Sequence, residues 1–111
     1  MSFSVQGKRV VVAGAGRSGL AAAELLASRG ASVTLTDLRP IDGADRLQAR
    51  GIATETGPHR RDLFTSADLV VLSPGVPPTR EPIEAARQAG VPVMGEVELA
   101  SRWLAGRVIA I

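Results

Sequence analysis

The sequence predicts an α/β protein, a Rossmann-like parallel sheet of about five strands with helices on both faces. Three observations predict it. Apolar, β-rich runs alternate with helical segments from one end of the chain to the other, which is the pattern of βαβ units. The first run, KRVVVAG, is too uniformly apolar to leave one face in water, as expected of a parallel strand covered on both sides. Gly14, Gly16 and Gly19 then form G-x-G-x-x-G where that strand meets an alanine-rich helical pattern.

Each element has its own signal. The strand over 8–14 leads into a helix over 17–29 that Gly30 stops as a C-terminal cap. ASVTLTD (31–37) is a second strand, and 44–51 a short second helix closed by another glycine. IATET (52–56) is a short third strand. ADLVVLSPG (67–75) is a strong fourth strand ended by a Pro-Gly turn, and 80–90 is a helix. VPVMG (91–95) returns as the fifth strand, 96–106 is a last helix, and RVIAI (107–111) begins a further strand. An apolar strand in this architecture normally delivers a loop to a binding site, so the sequence reads as the first domain of a longer chain: 1–106 one unit, 107–111 the opening strand of the next.

Composition narrows the class. With 111 residues, 45% of them hydrophobic, the chain can bury one core and hardly two. Thirteen Lys and Arg, twelve of them arginine, stand against eleven acids and leave a formal charge of +2. The basic residues are scattered and aromatic stacking partners nearly absent, so no nucleic-acid surface is expected. There is no cysteine, hence no disulfide framework and no thiolate metal site. No signal-peptide core and no apolar run of about 20 residues is present, which reads as a soluble, cytoplasmic protein without a membrane partner.

The glycine loop carries the chemistry. Gly14 permits the tight turn, Gly16 has no side chain to keep a phosphate from the backbone, and Gly19 lets helix and strand pack closely. The helix N-terminus then offers N–H groups and partial positive charge to an anion. Asp37 falls at the end of the second strand, where an acid commonly takes ribose hydroxyls. A nucleotide or dinucleotide diphosphate fits better than glycines serving the turn alone with a solvated Asp37. The motif does not choose among NAD, FAD and a UDP-linked ligand.

Five stretches taken together, QGKRVVVAGAGRSG, TLTDLRP, ADLVVLSPGVPP, AGVPVMGEVELA and the terminal VIAI, resemble in order and spacing the N-terminal domain of the Mur ligases. The likeness is closest to the members that add D-glutamate to UDP-N-acetylmuramoyl-L-alanine in peptidoglycan synthesis. The resemblance implies a domain that binds the UDP part of that substrate, followed by a central ATP-binding domain and a C-terminal domain for the amino acid. It places Arg17 and Ser18 near the diphosphate, Asp37, Leu38 and Arg39 at uracil and ribose, and Ser73, Pro74 and Gly75 against the sugar diphosphate, beside Gly14, Gly16 and Gly19. Leu38 departs from an ideal polar site, offering backbone groups and an apolar surface where a hydroxyl could have bonded the base. ATP, magnesium and the acyl-phosphate machinery are implied beyond Ile111, since no G-x-x-x-x-G-K-[ST] occurs here. No cofactor, metal or catalytic residue is therefore expected within these residues, and a monomer is expected.

Other residues read more plainly. Arg39 balances between a ligand role, stacking on uracil or pairing with phosphate, and plain solvation after a strand. Glu96 and Glu98 at a helix start suit the helix dipole better than a ligand. His59, in GPHRRD with no metal-ligand partner at suitable spacing, reads as a surface residue, and Arg60 and Arg61 ahead of Asp62 as solvated loop charges near an N-cap. Trp103 reads as core. Two rivals stay open on the glycine loop alone: the cofactor half of an NAD-dependent dehydrogenase, and a non-enzymatic nucleotide-sensing domain.

Overall fold

The computed structural model describes residues 5–77 and 79–101. The chain alternates strand and helix throughout: β1 (Arg9–Ala13), α1 (Arg17–Ser28), β2 (Ser32–Asp37), α2 (Ala44–Ala49), β3 (Ala53–Thr56), α3 (Arg61–Thr65), β4 (Leu69–Leu72), α4 (Glu81–Gln88) and β5 (Val93–Gly95). Residues 96–101 are again helical. The remainder of the helix expected over 96–106, Trp103 included, and the strand expected over 107–111 lie outside the described residues.

All four strand pairings are parallel, and the strand order is β3-β2-β1-β4-β5. β1 therefore sits at the centre, paired to β2 from Arg9↔Ser32 to Ala13↔Thr36 and to β4 from Val10↔Leu69 to Ala13↔Leu72. The chain steps outward from β1 to β3, crosses back to β4, and continues to β5. This reversal puts a crevice at the carboxyl ends of β1 and β4, where open α/β sheets collect ligands.

The apolar runs are explained by burial on both faces. Alternate residues of β1 enter different cores: Val10 and Val12 join Ala23, Leu26, Leu47 and Leu99 on one face, while Val11 and Ala13 join Phe64, Ile83 and Ala86 on the other. α1 presents a stripe of Gly19, Ala22, Ala23 and Leu26, small residues first, which brings the start of the helix close to the sheet. Gly30, at φ +89°, ends the helix in a conformation that a side chain disfavours.

Two expectations are refined. The fourth strand is shorter than 67–75, since Ser73, Pro74 and Gly75 leave the ladder as a turn after Leu72. The stretch read as loop charges contains a helix, α3, with Asp62 in its first turn and Phe64 fully buried beneath it. Arg60 precedes it and is ion-paired to Glu55 and Asp62, so its charge is exposed yet anchored. A five-residue helix with one core residue gives too little periodicity to be seen in sequence.

Candidate functional site

At the carboxyl ends of β1, β2 and β4 the loops enclose a cleft of about 500 Å³. Its walls combine Gly14, Gly16 and Ser18 of the glycine loop, Asp37, Leu38 and Arg39 after β2, and Ser73, Pro74 and Gly75 after β4. Nine of the eleven residues expected at the site thus share one cavity. Arg17, exposed on the first turn of α1, and Gly19, buried against the sheet, are not on its walls.

The glycines divide by what surrounds them. Gly14 adopts φ +100°, and a Cβ there would lie 2.7 Å from Ser73 Cβ. A Cβ on Gly19 would lie 1.9 Å from the Gly14 carbonyl oxygen and 2.7 Å from Ser73 Oγ, so these two positions are closed by the fold itself. Gly16 and Gly75 instead face open space, with nothing within 4 Å of a Cβ. Gly16 is the N-cap of α1 at φ −69°, ψ −177°, an extended conformation open to any residue. The backbone therefore tolerates a valine at this position. The first turn of α1 carries neither a side-chain cap nor an acid, so its N–H groups and dipole point unopposed toward the cleft.

Asp37 does more than end a strand. Its Oδ2 accepts the Ala15 N–H at 2.7 Å and its Oδ1 the Arg39 N–H at 2.9 Å, tying the glycine loop to the turn after β2. Partial burial pushes its carboxyl up, but the N–H groups of Arg39 and Ala15 outweigh this and hold it below the usual aspartate range. Leu38 is 47% exposed on the cleft wall, an apolar surface beside polar backbone. Arg39 and Arg80 both line the cleft, and Asp37 is the one acid among the lining residues, so the cleft is net positive.

Ser73 is a buried bracket. Its Oγ lies 2.9 Å from the Gly14 carbonyl oxygen and 3.0 Å from Glu96 Oε1, joining the loops after β1 and β4 to the helix after β5. Glu96 therefore engages Ser73 rather than acting only on its own helix dipole.

His59 corrects an expectation. Placed as a surface residue, it is half-buried on the cleft wall, with Nδ1 3.1 Å from Thr36 Oγ1 and its ring packed against Phe64 at a centroid separation of 5.6 Å. Burial, then the charge of Arg80, pushes the imidazole below its ordinary range, while Asp37 pulls the other way. Without metal-ligand neighbours His59 had no sequence signature; its place just past β3, at the edge where the ligand loops gather, was the available signal. Val76, Pro77 and Arg80, which complete the wall after β4, were missed because no motif marks them and only the fold brings them to the cleft. Among the described residues no group of three His, Cys, Asp or Glu could hold a metal ion, and no helix is long and apolar enough to cross a membrane.

Sheet order, switch-point crevice and glycine loop define a domain of the Rossmann-like class. Residues 8–95 match the family model described as Mur ligase MurD-like, N-terminal domain, and the chain belongs to that family. The UDP-N-acetylmuramoylalanine--D-glutamate ligase of Koribacter versatilis is 45% identical over 113 residues, covering 98% of this chain and 25% of that protein. The protein of the same name from Anaeromyxobacter dehalogenans is 50% identical over 105 residues, covering 92% and 23%. Among solved structures, the UDP-N-acetylmuramate-alanine ligase of Thermotoga maritima superposes with a TM-score of 0.69 at 26% identity, over 83% of this chain and 21% of that one. The chain thus spans about a quarter of the length of the curated relatives it matches.

Proposed function

We propose that the cleft binds the uridine diphosphate part of UDP-N-acetylmuramoyl-L-alanine, and that the chain acts as the substrate-binding N-terminal domain of an ATP-dependent ligase. That ligase joins D-glutamate to the nucleotide in the cytoplasm, for peptidoglycan synthesis. The observation that carries the reading is the division of the glycines. Gly14 and Gly19 are closed by protein, whereas Gly16 leaves room for a ligand at the uncapped N-terminus of a 12-residue helix. A diphosphate at Gly16 would meet N–H groups rather than a side chain, with Arg39 and Arg80 lining the same cleft. The names of the relatives supply the substrate and the amino acid.

ATP and magnesium belong, in this reading, to the central domain of such a ligase. These 111 residues contain no P-loop lysine to neutralise the β- and γ-phosphates.

Calorimetry tests the proposal. UDP-N-acetylmuramoyl-L-alanine, and UDP more weakly, bind the purified chain, NADH does not, and no phosphate is released from ATP with or without D-glutamate. Binding of NADH with no response to either uridine compound would replace this reading by the dehydrogenase one.

A further inference from the structure

His59 and Thr36 form a pair that the glycine loop does not explain. Thr36, on β2, is 2% exposed. Its hydroxyl has one proton to place, and among the described residues the acceptor within reach is His59 Nδ1, at 3.1 Å. A buried hydroxyl left without an acceptor is costly, so Thr36 donates and Nδ1 carries no proton. In a neutral imidazole the proton then sits on Nε2. Burial and Arg80 favour the neutral ring, and Phe64 packs against it. Among the described residues Nε2 has no partner, and the ring lines the same cleft as Asp37 and Arg80.

We propose that His59 is a ligand-positioning residue: Thr36 fixes its imidazole as the Nε2–H tautomer, which donates a hydrogen bond to an oxygen acceptor of the uridine diphosphate ligand. This rests on the nucleotide reading of the cleft. A neutral donor here adds direction without adding charge beside two arginines. It also makes the wall selective for an oxygen acceptor over a donor at that point of the ligand.

His59 is the single histidine of the chain, so the tautomer can be read directly. In a multiple-bond ¹H–¹⁵N correlation spectrum of the ¹⁵N-labelled protein, the free chain shows Nδ1 unprotonated and Nε2 protonated. Added UDP shifts the Nε2 resonance, and Thr36→Val lets the two tautomers mix. His59→Gln, whose amide N–H replaces Nε2–H, keeps UDP affinity within about twofold. His59→Ala and His59→Asn lose roughly three- to tenfold, the worth of one neutral hydrogen bond. An Nδ1–H tautomer in the free protein, or wild-type UDP affinity in His59→Ala, overturns the proposal while leaving the nucleotide site standing. Absence of UDP binding to the wild-type chain overturns both, whatever the tautomer.

Discussion

Replacing Gly16 by valine and Gly19 by alanine separates the two uses of the glycine loop. At Gly16 the backbone is already extended and a Cβ meets nothing within 4 Å, so the fold has no reason to reject a branched side chain. The stability cost is the weaker N-cap, about 1 kcal/mol or less. The side chain nevertheless fills the space assigned to the diphosphate, and UDP affinity falls at least about tenfold, or ~1.4 kcal/mol. At Gly19 a single methyl would sit 1.9 Å from a backbone oxygen and 2.7 Å from the buried Ser73 Oγ. No rotamer relieves a contact with backbone, so β1 and α1 must separate, at the upper end of the ~1–3 kcal/mol that overpacking costs. Alanine's better helix propensity returns about 1 kcal/mol, leaving a net loss of about 2 kcal/mol. For a domain of this size that lowers Tm by about 10 °C. Thermal unfolding by circular dichroism, with calorimetry of UDP on each variant, reads both quantities. A folded Gly16→Val with wild-type UDP affinity would show that the ligand does not approach the loop. A Gly19→Ala with unchanged Tm would refute the close-packing argument.

Three further outcomes follow from the same geometry. Asp37→Ala removes both clamps on the glycine loop and weakens UDP binding; because the carboxylate is partly solvated, stability falls by about 1.5 kcal/mol, the low end for charged hydrogen bonds, measurable by urea unfolding. Ser73→Ala and Glu96→Ala, each destabilising by about 1 kcal/mol, are coupled by at least ~0.5 kcal/mol in a double-mutant cycle, whereas strict additivity would mean the Ser73–Glu96 contact contributes nothing. Asp37, Glu55 and His59 all have pKa values lowered by the fold, Glu55 chiefly through the hydrogen bond from Arg60. The unfolded chain therefore takes up protons first, and stability present at neutral pH is lost on acidification, beginning below about pH 6.5 with His59 and continuing below about pH 4.5 with the carboxylates. Melting temperatures recorded from pH 7 to 4 should fall in that order, with the first step missing in His59→Gln; a Tm that stays flat or rises would contradict it.

Much of the fold was legible because its signals are local. Uniformly apolar strands, glycines at helix ends and the G-x-G-x-x-G turn each state their structure within a few residues. The parallel sheet follows from their alternation. The glycine loop's site was legible for the same reason, since Gly14 and Asp37 stand at the ends of neighbouring strands and Gly16 and Ser18 at the start of the helix between them. What sequence could not show depends on pairing across distance. Asp37 reads as a ligand carboxylate until its two backbone donors are seen. Ser73 reads as a loop hydroxyl until Gly14 and Glu96 close around it. His59 reads as solvent-facing because Thr36, Phe64 and Arg80, which surround or bias it, come from three other segments. The short α3 escaped because five residues, with Phe64 its one fully buried side chain, are too few to show a helical period.

The central claim is that a uridine diphosphate sits in the cleft at the β1–β4 switch point. An amide-resonance titration of the ¹⁵N-labelled chain with UDP tests it most directly. Saturable shifts should concentrate at Gly14 through Gly19, at Leu38 and Arg39, and at Ser73 and Gly75, and NADH should leave these resonances in place. Shifts confined to the amino-terminal edge of the sheet, or a cleft that NADH saturates and UDP does not, would contradict it.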